Sequence, residues 1–79
     1  MDEKTLRELE KTLTEKFPAG IPRPQLGKAT GNLLHPRTQA NLDCTGAGIK
    51  GRYRVGRLIV YPVSGVIDFL KSKIEVVNA

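Results

Sequence analysis

Apolar side chains recur along this chain with two different periods, and each change of period marks a new element. From Asp2 to Phe17 they fall at Leu6, Leu9, Leu13 and Phe17, a spacing of three, four and four that draws one stripe along a helix. Asp2 and Glu3 at its start and Lys16 at its end suit the helix macrodipole. Three leucines and a phenylalanine are too much apolar surface to leave wet. The stripe therefore either covers a small core or forms a homodimer contact through Leu6, Leu9, Leu13 and Phe17.

Pro18, Gly20, Pro22 and Pro24 then predict an extended crossing to the next element. Two short helices follow, opened by Pro24 and Pro36, because proline fits the first helical position where no amide donor is needed. The first ends at Gly31, turns Leu26 and Ala29 inward and Lys28 outward, and is weak by propensity, so packing must hold it. Leu33 and Leu34 are expected in the core of the turn. The second helix, about Pro36 to Asp43, is expected to offer Leu42 and Thr38 to the core. Arg37, Ala40 and Asn41 are then left outside, with Gln39 at the border.

Beyond a glycine-rich bridge the period becomes two. Arg52 to Val55 and Leu58 to Tyr61 read as strands joined by Gly56-Arg57, whose leading glycine suits a type II′ turn. Pairing Val55 with Leu58, Arg54 with Ile59, Tyr53 with Val60 and Arg52 with Tyr61 gathers Tyr53, Val55, Leu58 and Val60 on one face, expected against the helices. Arg52 and Arg54 take the other face and Arg57 the tip. Tyr61 is expected to reach back to the core. Pro62 opens a last helix, about Val63 to Lys73, with a wide apolar face of Val63, Val66, Ile67, Phe69, Leu70 and Ile74. The tail from Glu75 to Ala79 is uninformative. The fold class is mainly α with a small β-hairpin: a winged helix-turn-helix over residues 18–79, with residues 1–17 as an extra amphipathic helix packing on it or extending it.

A length of 79 residues fits one domain with a small core and leaves no room for separate cofactor-binding and catalytic domains. The net charge of +5 is unevenly placed. Residues 1–17 carry a net −1 and residues 63–79 balance. Residues 18–62 hold Arg23, Lys28, Arg37, Lys50, Arg52, Arg54 and Arg57 against Asp43 alone, a net +6. A focused excess on the helix-turn-helix and hairpin is the footprint of a surface facing phosphates, so double-stranded DNA is the expected partner. Arg37 and Asn41 match the bidentate edges of guanine and adenine, with Ala40 permitting close approach and Gln39 beside them. Lys28, Lys50, Arg52, Arg54 and Arg57 are candidates for phosphates or a minor groove. Only Tyr53 and Tyr61 offer aromatic stacking in this region, which disfavours RNA.

Other chemistry is scarce. His35 stands without a second histidine or a carboxylate cluster and reads as a helix-start residue. Cys44 is the only cysteine, so no internal disulfide or cysteine-rich metal site forms, and a reduced, cytoplasmic setting is expected. Gly46-Ala47-Gly48-Ile49-Lys50-Gly51 satisfies G-x-G-x-x-G but has a helix before it and a strand after it, the reverse of a dinucleotide site, and reads as a flexible bridge. No run reaches a membrane span, and the N-terminus lacks the apolar core of a signal peptide. No carboxylate pair, nucleophile with its base, or metal cluster appears at usable spacing, so neither an enzyme nor a cofactor, metal or small-molecule ligand is expected. A protein-interaction module on a winged-helix scaffold, docking through the Leu6/Leu9/Leu13 stripe, is the alternative.

From about Ile21 to Lys73 the sequence resembles the small excisionase-like, AlpA-type regulators of the MerR superfamily of winged helix-turn-helix proteins. The resemblance lies in a helix, a second helix opening on Pro36-Arg37-Thr38, a Gly-Arg wing ending in Tyr61-Pro62, and a closing amphipathic helix with Phe69-Leu70. Leu33, His35 and Leu42 depart from the family's usual glycine, serine cap and aromatic residue. The resemblance implies DNA binding in bacterial or phage regulation, often of prophage or integrated-element genes, or a part in excision.

Overall fold

The computed structural model describes residues 3–74; the helix start placed at Asp2 lies outside them. In chain order the elements are α1 (Glu3–Lys16), β1 (Ile21–Pro22), a 3-10 turn (Arg23–Gln25), α2 (Leu26–Ala29), α3 (Pro36–Thr45), β2 (Tyr53–Val55), β3 (Leu58–Tyr61) and α4 (Val63–Lys73). The strands form one antiparallel sheet in the order β1-β3-β2. This is a helix-rich domain with a small hairpin, arranged as a winged helix-turn-helix with an added N-terminal helix.

The apolar stripe of α1 is used within the chain. Leu6 and Leu13 are buried, and Leu9 and Phe17 pack against the same cluster, which also contains Val66 and Leu70 of α4. A dimer seam through these four residues would have to compete with that packing. The first helix of the helix-turn-helix is as short as its glycines imply: Pro24 sits in a 3-10 turn that leads into a single α-helical turn. Leu26 is fully buried there, so packing rather than propensity fixes it.

The turn between α2 and α3 depends on a residue with no obvious mark in the sequence. The buried Thr30 hydroxyl donates to the Leu26 carbonyl at 2.8 Å and accepts from the Leu34 amide at 3.2 Å. Asn32 adopts a left-handed φ of 67°, a conformation asparagine tolerates, and its amide returns to the Gly27 carbonyl at 2.6 Å. This geometry points only one of the two leucines inward. Leu34 is buried, whereas Leu33 is 53% exposed and does not join the core as expected.

The wing pairs in the expected register, Tyr53 with Val60, Arg54 with Ile59 and Val55 with Leu58. Gly56 has a φ of 62° while Arg57 keeps a negative φ, the combination of a type II′ turn. Val60 and Tyr61 are buried as expected, but the other expected inward residues of the hairpin are not. Tyr53, Val55 and Leu58 are exposed, Val55 at 59%, and the inward face is that of Ile59 and Tyr61. The reason is β1, a strand where the proline-rich sequence predicts only an extended crossing. Ile21 pairs with Tyr61, directly opposite residues share a face, and both are fully buried. Val60, on the outward face, is covered at Gly20 in the turn after α1, where the Tyr53 hydroxyl also donates to the Ala19 carbonyl.

If α1 is core rather than a seam between copies, Leu13→Ala should lower the unfolding free energy by about 2–5 kcal/mol. The loss in urea titrations should be independent of protein concentration. A loss that vanishes on dilution would assign Leu13 to an interface.

Candidate nucleic-acid interface

Helix α3 begins where Pro36 follows His35 in an extended conformation, and no side chain caps it. It ends at Gly46, which takes a left-handed φ of 78°, so that the amides of Gly46 and Ala47 close on the Asp43 and Leu42 carbonyls. Arg37, Thr38 and Asn41 lie exposed on its outer side, and Ala40 is half-buried. Arg37 and Asn41 are four residues apart, hence neighbours on one face. Two of the expected facings are exchanged. Gln39 is 1% exposed, and its Oε1 finds no protein donor, while Thr38 faces solvent. The inward ridge is Gln39, Leu42 and Asp43, the i, i+3, i+4 set of a helix, so Gln39 is not available to base edges.

Asp43 is the centre of a cluster that sequence reading did not assemble. Its carboxylate is 6% exposed, and a buried charge must be paired. Oδ2 accepts from Arg23 Nη2 at 2.7 Å and from the Tyr61 hydroxyl at 2.7 Å. Arg23 Nε donates to the same hydroxyl at 2.9 Å, and the guanidinium lies 5.8 Å from the tyrosine ring centroid. Arg52 Nε approaches Oδ2 to 3.7 Å, and its Nη2 donates to the Asp43 carbonyl at 3.2 Å. Gly48 lies so close to Oδ1 that a Cβ there would overlap it. The glycine bridge is therefore a fitted segment, not the loose connection expected. One clue was present in the sequence: Asp43 is the only acid among seven basic residues.

The cluster also sorts the expected phosphate ligands. Arg52 is engaged at the base of the wing. Arg54, two residues further along, is on the same side of the strand and about 7 Å farther out, on the side of the hairpin that meets the end of α3. Arg57 is exposed at the tip. Lys28 lines a groove beside Lys16 at the end of α1 and Phe17 just after it, and Lys50 lines another beside Ser64 and Asp68 of α4. Arg37, Asn41, Arg54 and Arg57 thus form the set on α3 and the wing, while Lys28 and Lys50 line grooves against α1 and α4. Among the described residues, no group of three or more His, Cys, Asp or Glu could hold a metal, and no helix is long and apolar enough to cross a membrane. Cys44 is exposed and free. Compared with models of protein families, with curated proteins and with solved structures, the chain has no match in any of the three.

Burial first, and donation to Asp43 second, hold the Tyr61 hydroxyl above the ordinary tyrosine value, with Arg23 opposing. The hydrogen bond to Tyr61, and then that to Asp43, raise Arg23 against the effect of its burial. A folded-state value above the unfolded one means that the stabilisation from Tyr61 is complete below about pH 10 and is lost as pH rises through the higher folded value. Tyr61→Phe should therefore be less stable than the wild type near neutrality. In urea unfolding, the gap should narrow above about pH 10. A gap that stays constant to higher pH would mean the hydroxyl is not held protonated by the fold.

Proposed function

We propose that this protein binds double-stranded DNA in a sequence-specific manner and carries out no catalysis. Helix α3 lies in the major groove with Arg37 and Asn41 at base edges. The wing places Arg54 and Arg57 on the adjacent backbone or minor groove. One observation supports this most: Asp43, the only acid of residues 18–62, is buried and consumed internally. Lys28, Arg37, Lys50, Arg54 and Arg57 are exposed and have no ion-pair partner among the described residues. Exposed cations on α3 and the wing, with the one acid of residues 18–62 turned inward, suit a polyanion. Together with the resemblance to excisionase-like regulators, this favours a bacterial cytoplasmic setting and control of phage or mobile-element genes, or a part in excision.

A protein-interaction module is the second reading, and one feature favours it. Tyr53, Val55 and Leu58 form an outward apolar face on the wing, where a partner could dock. The two readings differ in their salt dependence. With three to five phosphate contacts at about −0.9 each, the slope of log affinity against log salt should be roughly −3 to −4.5. A slope near zero in a fluorescence titration would favour the interaction module.

The helix and the wing should divide the work of binding. Arg37→Ala or Asn41→Ala should cost about 1–3 kcal/mol on a site selected from random duplexes and relax preference at one or two positions. Arg54→Ala and Arg57→Ala should weaken selected and scrambled duplexes alike and flatten the salt slope by about one unit each. If the wing variants change sequence preference and the helix variants do not, the hairpin reads the bases.

A further inference from the structure

We infer that Asp43 is a positioning residue for duplex recognition: its carboxylate is the joint that fixes the wing relative to α3. The inference rests on the DNA-binding reading above. The partners of the carboxylate come from the lead-in to α2 (Arg23), the end of β3 (Tyr61) and the residue before β2 (Arg52). A single side chain on α3 therefore holds the base of both wing strands and the entry of the other helix. The joint is stiff, since the side chain is almost wholly buried and Gly48 leaves it no room to move. Strand β3 is also held by its pairing with β1 and by the buried Val60 and Tyr61, whereas β2 and the tip of the hairpin lie on the far side of β3 from that support. The Tyr53, Val55 and Leu58 side chains are exposed, and beyond the base the Tyr53 hydroxyl donates to the Ala19 carbonyl.

A stiff joint makes two contacts cooperative. Once α3 has engaged a groove, the wing arginines meet the backbone as an intramolecular event at high effective concentration. A loose joint lowers that concentration and adds an ordering cost to binding. Charge alone predicts the opposite sign. An aspartate that merely stood near DNA would repel phosphates, so neutralising it would strengthen binding to every duplex.

The test compares Asp43→Asn and Tyr61→Phe with the wild-type chain on a selected duplex and a scrambled one. Asp43→Asn should leave affinity for the scrambled duplex unchanged or raised. Its ratio of selected to scrambled affinity should fall about tenfold, a mid-range value for coupled groups. Tyr61→Phe, which changes no charge at neutral pH, should lower the ratio by a smaller factor. It carries the test if Asp43→Asn fails to fold by circular dichroism. Arg37→Ala and Arg57→Ala should be coupled in the wild type and additive in Asp43→Asn. An unchanged ratio, or equal loss on both duplexes with the fold intact, would overturn the proposal. Amide hydrogen exchange on the DNA-free proteins separates the two layers of the argument. Residues 53–61 should exchange faster in both variants while α1 and α4 keep their protection. Wing protection that is unchanged overturns the joint whatever DNA does. A wild type that binds neither duplex overturns the DNA-binding reading and the recognition role with it, and exchange still decides whether Asp43 fixes the wing.

Discussion

A single buried carboxylate governs how the parts of this small domain are placed. Taking a charge out of water is tolerated only when partners compensate it, and removal of one partner typically costs about 3–5 kcal/mol because the remainder is left uncompensated. Asp43 meets that demand with two arginines and a tyrosine drawn from separate stretches of chain. Its second oxygen, Oδ1, has no donor among the described residues and packs against Gly48. The cluster thus requires a residue without a side chain at position 48, a helix that ends at Gly46, and a wing that begins at Arg52. Those three requirements explain why the bridge is rich in glycine without any appeal to nucleotide binding or to looseness.

Apolar packing sets the rest, and it is distributed differently from the polar clasp. A domain of this size buries little core, and α1 supplies part of it by laying Leu6 and Leu13 into the cluster that includes Val66 and Leu70 of α4. The sheet contributes Ile21 and Tyr61, paired across β1 and β3 on one face. Tyr61 therefore belongs to both systems: its ring is core, and its hydroxyl is the donor that links Arg23 to Asp43. The amphipathic character of tyrosine is what allows one residue to join an apolar layer to a charged cluster.

Much of this architecture was legible in the sequence, and the failures share a cause. The spans of α1, α3 and α4, the hairpin register and the Gly56-Arg57 turn all follow from local period and turn chemistry, which depend on near neighbours. What failed was facing. Alternation separates Tyr53, Val55 and Leu58 from Ile59 and Tyr61 but does not say which set goes inward. That choice is made by Ile21, whose two-residue strand carries no periodic signal. Gln39 and Thr38 exchanged places for a similar reason: adjacent helical positions differ by about 100°, and the inward one is set by where Asp43 must point. Of the proposed site, the sequence shows the charges of Arg37, Arg54 and Arg57 and the place of Asn41 one turn from Arg37, and all four are exposed. Arg23 and Arg52 looked equivalent to them because sequence shows charge without showing its partner.

That last distinction separates attraction from orientation. Long-range attraction to a polyanion depends on net charge over a Debye length, roughly 8 Å at physiological salt, and is indifferent to which arginine supplies it. Orientation depends on where each charge is held. In this chain Arg23 and Arg52 share the single negative charge of Asp43, which cancels one of their two positive charges and holds both side chains in place between α3 and the base of the wing. On the proposal that the partner is DNA, converting Asp43 to a neutral residue would release positive charge while freeing the elements it holds, so the attraction common to all duplexes would hold or rise while preference for one duplex fell. A basic surface assembled without such an internal acid would be more strongly charged and less able to choose.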